Sequence, residues 1–272
     1  MAGGLATATL LALTVPAALA GRWNLVGVAW AAYVAMAVAV PIGVGTRRDH
    51  PRGLVWGYGL ASGAMLTSAA IFLLPQALGH HPRFGGVGVA LGLLVGFAGH
   101  TVGHRLAHLD LPVERTVAEL TAHALAAGTV IGVVYGNLSA LGPALGLAIV
   151  SHKGPAGYAA ASRLAGDDRD PSVLLVPAAG VGVAALVAST LALPADAPVR
   201  GVVFGFATGV FLHVAMDFLP RCELGSEIHD AVAGAADDDG DAHALLDRLR
   251  THAVASTALG GLATFVAWLF VA

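Results

Sequence analysis

The chain of 272 residues is poor in charge: Asp, Glu, Lys and Arg make up 11% of it, against 57% hydrophobic residues. A soluble domain carries about 25% charged residues. The deficit excludes an ordinary water-facing surface for most of the molecule. One cysteine, Cys222, excludes a disulfide framework and a cysteine-based metal site. Aromatic residues are 6%, with no ladder and no basic tract, which excludes a nucleic-acid surface. Net charge of −3 says little, because what matters is which loop carries each charge.

What remains is apolar and rich in glycine. Mean hydropathy is +0.77 and glycine numbers 36, which suits closely packed membrane helices. The expected fold class is all-α: a polytopic helical membrane protein with the bilayer as its main partner. The spans expected are 2–20, 24–45, 54–79, 85–108, 115–136, 140–165, 171–193, 199–220 and 247–271. Each is near the ~20 residues that cross a hydrocarbon core. Residues 1–22 read as an extra N-terminal transmembrane helix or a signal-like segment. Ala18-Leu19-Ala20-Gly21 resembles a cleavage site, but no Lys or Arg precedes it.

Arginines set the orientation. Arg47, Arg48, Arg52, Arg105, Arg115, Arg163, Arg169, Arg221, Arg248 and Arg250 fall on one set of loops; Arg22, Arg83 and Arg200 fall on the other. The first set is expected in the cytoplasm. Nine spans then put the N-terminus inside and the C-terminus outside, in a multi-pass cell-membrane protein. The loop 221–246, ending in Asp237-Asp238-Asp239-Gly240-Asp241 with His229 and His243 nearby, reads as a solvated acidic linker.

Within the expected spans, polar residues are few: His100, His104, His123, His152, Lys153, His213 and Asp217, with Glu119 near a helix start. An ionisable group in hydrocarbon is costly and marks a candidate site. At 1.5 Å per helical residue, His152 and His123 both lie about 18 Å from the outer face and His213 about 20 Å. Three histidines thus share one level near the midplane, while His100, His104 and Asp217 fall closer to the cytoplasm. Pro155 removes the donor that would pair with Ser151, and Pro177 does the same to Val173. Broken helices with polar groups at the midplane build many transporter sites. Gly128, Gly154 and Gly157 permit close helix approach, and Pro75 and Gln76 read as a helix end.

Four stretches carry a family resemblance. His123-Ala124-Leu125-Ala126-Ala127-Gly128 resembles the pattern H-N-x-x-[DE]-G, and His152-Lys153-Gly154-Pro155-Ala156-Gly157 resembles H-x-x-P-[EH]-G. Leu73-Leu74-Pro75-Gln76-Ala77 is similar to L-L-P-E-A, and Gly209 to Pro220 is similar to G-x-F-L-Y-V-A-x-x-x-L-P-E. These are patterns of the ZIP family of divalent-metal transporters, and the subgroup reading H-K-x-P-A matches His152 to Ala156. The resemblance spans most of residues 24–272. It implies an eight-helix core over 23–272 plus one extra helix, and divalent-cation transport, zinc first, towards the cytoplasm. It implies no enzymatic activity, no catalytic residue and no prosthetic cofactor; the metal is cargo. A homodimer stays open.

At the family's ligand positions this chain has Ala124, Ala127, Lys153, Ala156 and Val176, so His123 and His152 alone remain as donors there. Two imidazoles beside an ammonium suit a dication poorly without added negative charge. Spacing offers Glu119, one turn before His123, and Asp217, one turn after His213. The candidate metal set is therefore His123, His152, Glu119, His213 and Asp217. Lys153 reads either as a site charge or as a partner of Asp217 or a freed carbonyl. His213 reads either as part of the path or as packing. His100 and His104 read as an exit site or as a wet helix end. The alternative function is a non-transporting ZIP-like metal sensor or scaffold, motivated by the missing carboxylates.

Overall fold

The computed structural model describes residues 2–45, 51–106, 115–137, 152–166, 168–192, 194, 196–220, 228, 232 and 239–270; the side chains of 100, 102–106, 115–116, 119 and 239–242 lie outside that description. Among the described residues every regular element is helical. In chain order these are α1 (Ala2–Leu19), α2 (Trp23–Val44), α3 (Pro51–Ser68), a π-helical turn (Ala69–Leu73), α4 (Leu74–His80), α5 (Pro82–Leu106) and α6 (Arg115–Asn137). After them come α7 (Lys153–Gly166), a 3₁₀ turn (Pro171–Leu174), α8 (Leu175–Ala188), α9 (Ala197–Asp217) and α10 (Asp239–Leu269).

Seven stretches are long and apolar enough to cross a membrane: Ala2–Leu19, Trp23–Val44, Pro51–His80, Pro82–Gly99, Pro171–Ala188, Ala197–Asp217 and His243–Leu269. The fifth and sixth expected spans are not among them. α6 carries Arg115, Glu119, His123 and Asn137, and the described part of the sixth span is only the 14-residue α7. Eight α7 residues are buried, Lys153 and Ala156 among them, so α7 meets protein more than lipid.

Glycines decide how the helices pair. Without a water-driven hydrophobic force, helices in lipid associate by close packing, which small residues allow. On α5 and α9, Gly92 and Gly209 face each other: a Cβ on Gly209 would lie 2.9 Å from the Gly92 Cα, and a Cβ on Gly92 would lie 2.9 Å from the Gly209 Cα. The same stripe includes Gly88 and Gly205. On α6, Gly128 and Gly132 meet the carbonyls of Val181 and Ala185 on α8, and Gly136 meets that of Ser189 just after it, where an added Cβ would collide. On α3 and α10, Gly63 meets Thr257 and Gly260 meets Leu60. Among the described residues these three pairings are the most extensive, followed by α2 with α7.

α1 docks on α8 and α2. Leu10 is fully buried, and Gly182 makes room for it. Thr7 and Tyr33 share a hydrogen bond of 2.9 Å, and Trp30 donates to Thr14 at 3.1 Å.

Two element boundaries differ from the sequence expectation. Pro75 does not end its helix: the chain runs from α3 through the π-helical turn into α4 and stops at His81. Pro75 lies in the first turn of α4, where its missing N–H is tolerated, and the widened turn before it absorbs the lost i→i−4 bond. The last helix starts at Asp239, inside the stretch expected to be linker up to 246. Leu246 and Leu249 are buried with Val55, Ile228 and Val232, so an apolar stripe draws this segment onto α3. The rest of 221–238, with His229, Asp237 and Asp238, lies outside the described residues apart from Ile228 and Val232.

Candidate metal-binding site

Three elements converge in the bundle. α6 brings His123, the segment entering α7 brings His152 and Lys153, and α9 brings Phe211. The Nε2 atoms of His123 and His152 are 3.4 Å apart, and the ring centroids are 5.6 Å apart at 60°. His152 is fully buried and Lys153 is 4% exposed, whereas His123 is only half-buried. The Phe211 ring meets His152 edge-on at 5.9 Å.

Local sequence explains how His152 is held. Pro155 falls in the first turn of α7, where a missing N–H costs no helical bond. The His152 carbonyl accepts from the Ala156 N–H at 2.9 Å, fixing the backbone as the helix begins. Gly157 lets α7 sit against Met36 of α2: a Cβ there would lie 2.8 Å from the Met36 Cγ. Ser151, whose carbonyl Pro155 was expected to free, lies outside the described residues. The other expected break, at Pro177, takes the form of the 3₁₀ turn preceding α8.

An Nε2 separation of 3.4 Å has two chemical uses. One imidazole can donate N–H to the other. Alternatively, two nitrogens about 2.0–2.1 Å from a tetrahedral Zn²⁺ stand about 3.3 Å apart. Two ligands do not complete a zinc site, and among the described residues no group of three or more His, Cys, Asp or Glu could hold an ion.

The depth argument placed His213 with this pair, and the structure separates it. On α9, Phe211 and His213 differ by two residues, about 200° of rotation. Phe211 faces His152; the His213 ring packs on Gly96 of α5, where an added Cβ would lie 2.6 Å from the ring. His213 continues the Gly201, Gly205 and Gly209 stripe at four-residue steps. Its Nε2 lies 3.2 Å from a carboxylate oxygen of Asp217, one turn on, and both side chains are partly exposed at 16% and 32%. Four of the five candidate residues therefore form a central His123/His152 pair and a separate His213/Asp217 pair. The side chains of Glu119, His100 and His104 lie outside the description.

Sequence reasoning missed Phe211 as the α9 residue that meets His152. It also missed Ser62, a fully buried hydroxyl on α3 that donates to the Ala215 carbonyl of α9 at 2.8 Å. The signal for Phe211 was available: counting about half a helical turn back from His213 puts it on the opposite face.

No family model matches the chain, and no curated protein matches it.

Proposed function

We propose that the protein is a ZIP-like membrane transporter that carries a divalent cation, zinc first, towards the cytoplasm. The observation that carries this reading is the 3.4 Å separation of the His123 and His152 Nε2 atoms, contributed by two different helices. It matches the spacing of two imidazoles sharing one tetrahedral ion. Intramembrane ionisable residues are functional by default, which adds weight to the pair. In this reading the ion loses water at the outer mouth, rests between His123 and His152, and leaves past His213 and Asp217. Glu119 supplies negative charge from one turn before His123. Alternating access moves one group of helices against another. His152→Ala should abolish zinc uptake into proteoliposomes loaded with a zinc-sensitive dye. Uptake at the unaltered rate would sink the role of His152.

A second reading is favoured by a specific observation: Lys153 is buried beside His152, and no three-ligand group occurs among the described residues. Such a centre suits a metal sensor or scaffold that does not transport. Purified protein that stays folded and binds no zinc would favour it over transport.

A further inference from the structure

An apolar groove of about 360 Å³ opens between α2, α3 and α7. Ile42 of α2, Gly53, Trp56 and Gly57 of α3, and Pro155 and Tyr158 of α7 form its wall. Gly53 and Gly57 keep α3 clear of Tyr158: a Cβ on Gly53 would lie 2.9 Å from the Tyr158 hydroxyl, and one on Gly57 3.4 Å from its ring. The phenol therefore reaches the first turn of α3. Ile42 is 60% exposed, so the groove faces outward. In a bilayer an outward apolar groove fills with an acyl chain. The surrounding lipid does not choose which headgroup sits above that chain; the polar rim does.

The rim is cationic. Arg52 lies one turn before Trp56 on α3, at the start of the apolar stretch Pro51–His80. The Trp56 indole donates to His252 Nδ1 on α10 at 3.4 Å. α3 and α10 run in the same direction, since Val55 packs with Leu249 and Gly63 meets Thr257. Arg248, one turn before His252, therefore stands at the same end as Arg52. Both arginines are exposed. Among the described residues neither makes an ion pair, and Asp247, the carboxylate beside Arg248, is engaged by Arg250 at 2.6 Å. The Tyr158 hydroxyl makes no hydrogen bond there either. Trp and Tyr suit the membrane–water interface, and basic pockets between membrane helices suit anionic headgroups.

We infer that this groove and its rim form a binding site for an anionic phospholipid. One acyl chain lies between Ile42, Gly57 and Pro155. The phosphate sits at the mouth, where Arg52 and Arg248 supply guanidinium donors and Tyr158 supplies a hydroxyl donor. Trp56, fixed by His252, separates the polar rim from the apolar wall. The site goes beyond the transport reading and does not depend on it.

The test uses the delipidated full chain in detergent. Native mass spectrometry follows the titration of phosphatidylglycerol and of phosphatidylcholine with the same acyl chains. Phosphatidylglycerol should bind one saturable site about tenfold more tightly than phosphatidylcholine. Exchanging both arginines, Arg52→Gln with Arg248→Gln, should bring the two lipids within about twofold of each other. Tyr158→Phe should weaken phosphatidylglycerol and leave phosphatidylcholine nearly unchanged. Gly57→Leu, which fills the groove, should weaken both lipids, and Ile42→Trp does the same from the α2 side if Gly57→Leu melts early. Circular dichroism and thermal melting confirm that each variant is folded. Equal affinity for the two lipids overturns the inference, as does a preference that survives loss of both arginines. A phosphatidylglycerol site untouched by filling the groove overturns it too, because the headgroup would then bind elsewhere. Glycerol phosphate, which has the anion without the chains, should not compete; displacement of the lipid by it at comparable concentration would make this a soluble-anion site and overturn the assignment.

Discussion

Phe211 meets His152 edge-on at 5.9 Å, and His213, two residues further along α9, faces the other way onto Gly96. One helix thus presents an aromatic wall to the central histidine pair and a polar His–Asp pair to α5. The two pairs should behave as separate stations. His213→Ala and Asp217→Asn should slow zinc release into vesicles and leave zinc affinity of the central pair within about twofold. Phe211→Ala should change that affinity by more. Rapid-mixing uptake alongside equilibrium binding separates the two effects.

His123 and His152 should act as a unit. If they share one ion, His123→Ala and His152→Ala each remove most of the zinc affinity, and the double variant is scarcely worse than either. Residues in one network depart from additivity by 0.5–3 kcal/mol, a departure of about that size being the expected result of a double-mutant cycle. Two additive losses would show that the histidines bind independently.

The glycine stripes give a stability prediction. Gly132→Val on α6 drives a side chain into the Ala185 carbonyl of α8, and Gly209→Val on α9 drives one into the Val89 carbonyl of α5. Overpacking of this kind costs about 1–3 kcal/mol. Gly86 is the control: it lies on α5 with open space beside it, so Gly86→Val should melt near the unaltered protein. Melting followed by the fluorescence of a thiol dye on Cys222 would rank the three.

Much of the architecture can be read from the sequence, and the reason is physical. Span positions follow from hydropathy, and the helices found at 2–19, 23–44 and 197–217 lie where apolar runs put them. Pairing His123 with His152 follows from depth, because two helices of known entry point share a level. Rotation does not follow from depth: His213 has the right height and the wrong face. The start of α10 at Asp239 was hidden by its acidic composition, since the leucines that anchor it are spaced among charges. The π-helical turn before Pro75 was hidden because proline signals a broken hydrogen bond without saying how the chain absorbs the loss.

At the cytoplasmic end expected for α8, Asp170 supplies a pH-sensitive lock outside the membrane. Its carboxylate accepts from the Ser172 N–H at 2.9 Å and from the Ser172 hydroxyl at 2.6 Å. The Ser172 hydroxyl and backbone N–H hold the carboxyl below the usual carboxylate range. A depressed folded-state value means the lock is fully present above the unfolded-state value, near 3.9, and is lost as pH falls through the folded one. Amide exchange at Ser172 and Val173 should accelerate in strong acid. In Asp170→Asn it should already be faster near neutral pH.

The glycine-lined pairings have a mechanical corollary. α5 with α9, α6 with α8, and α3 with α10 are joined backbone to backbone, so each couple is expected to move as one beam. His123 rides on the α6–α8 beam, Phe211 on the α5–α9 beam, and His152 enters α7, which leans on α2. The histidine pair therefore spans a seam between beams. In the transport reading, a cation held by both imidazoles pins that seam, and its departure frees the beams to shift.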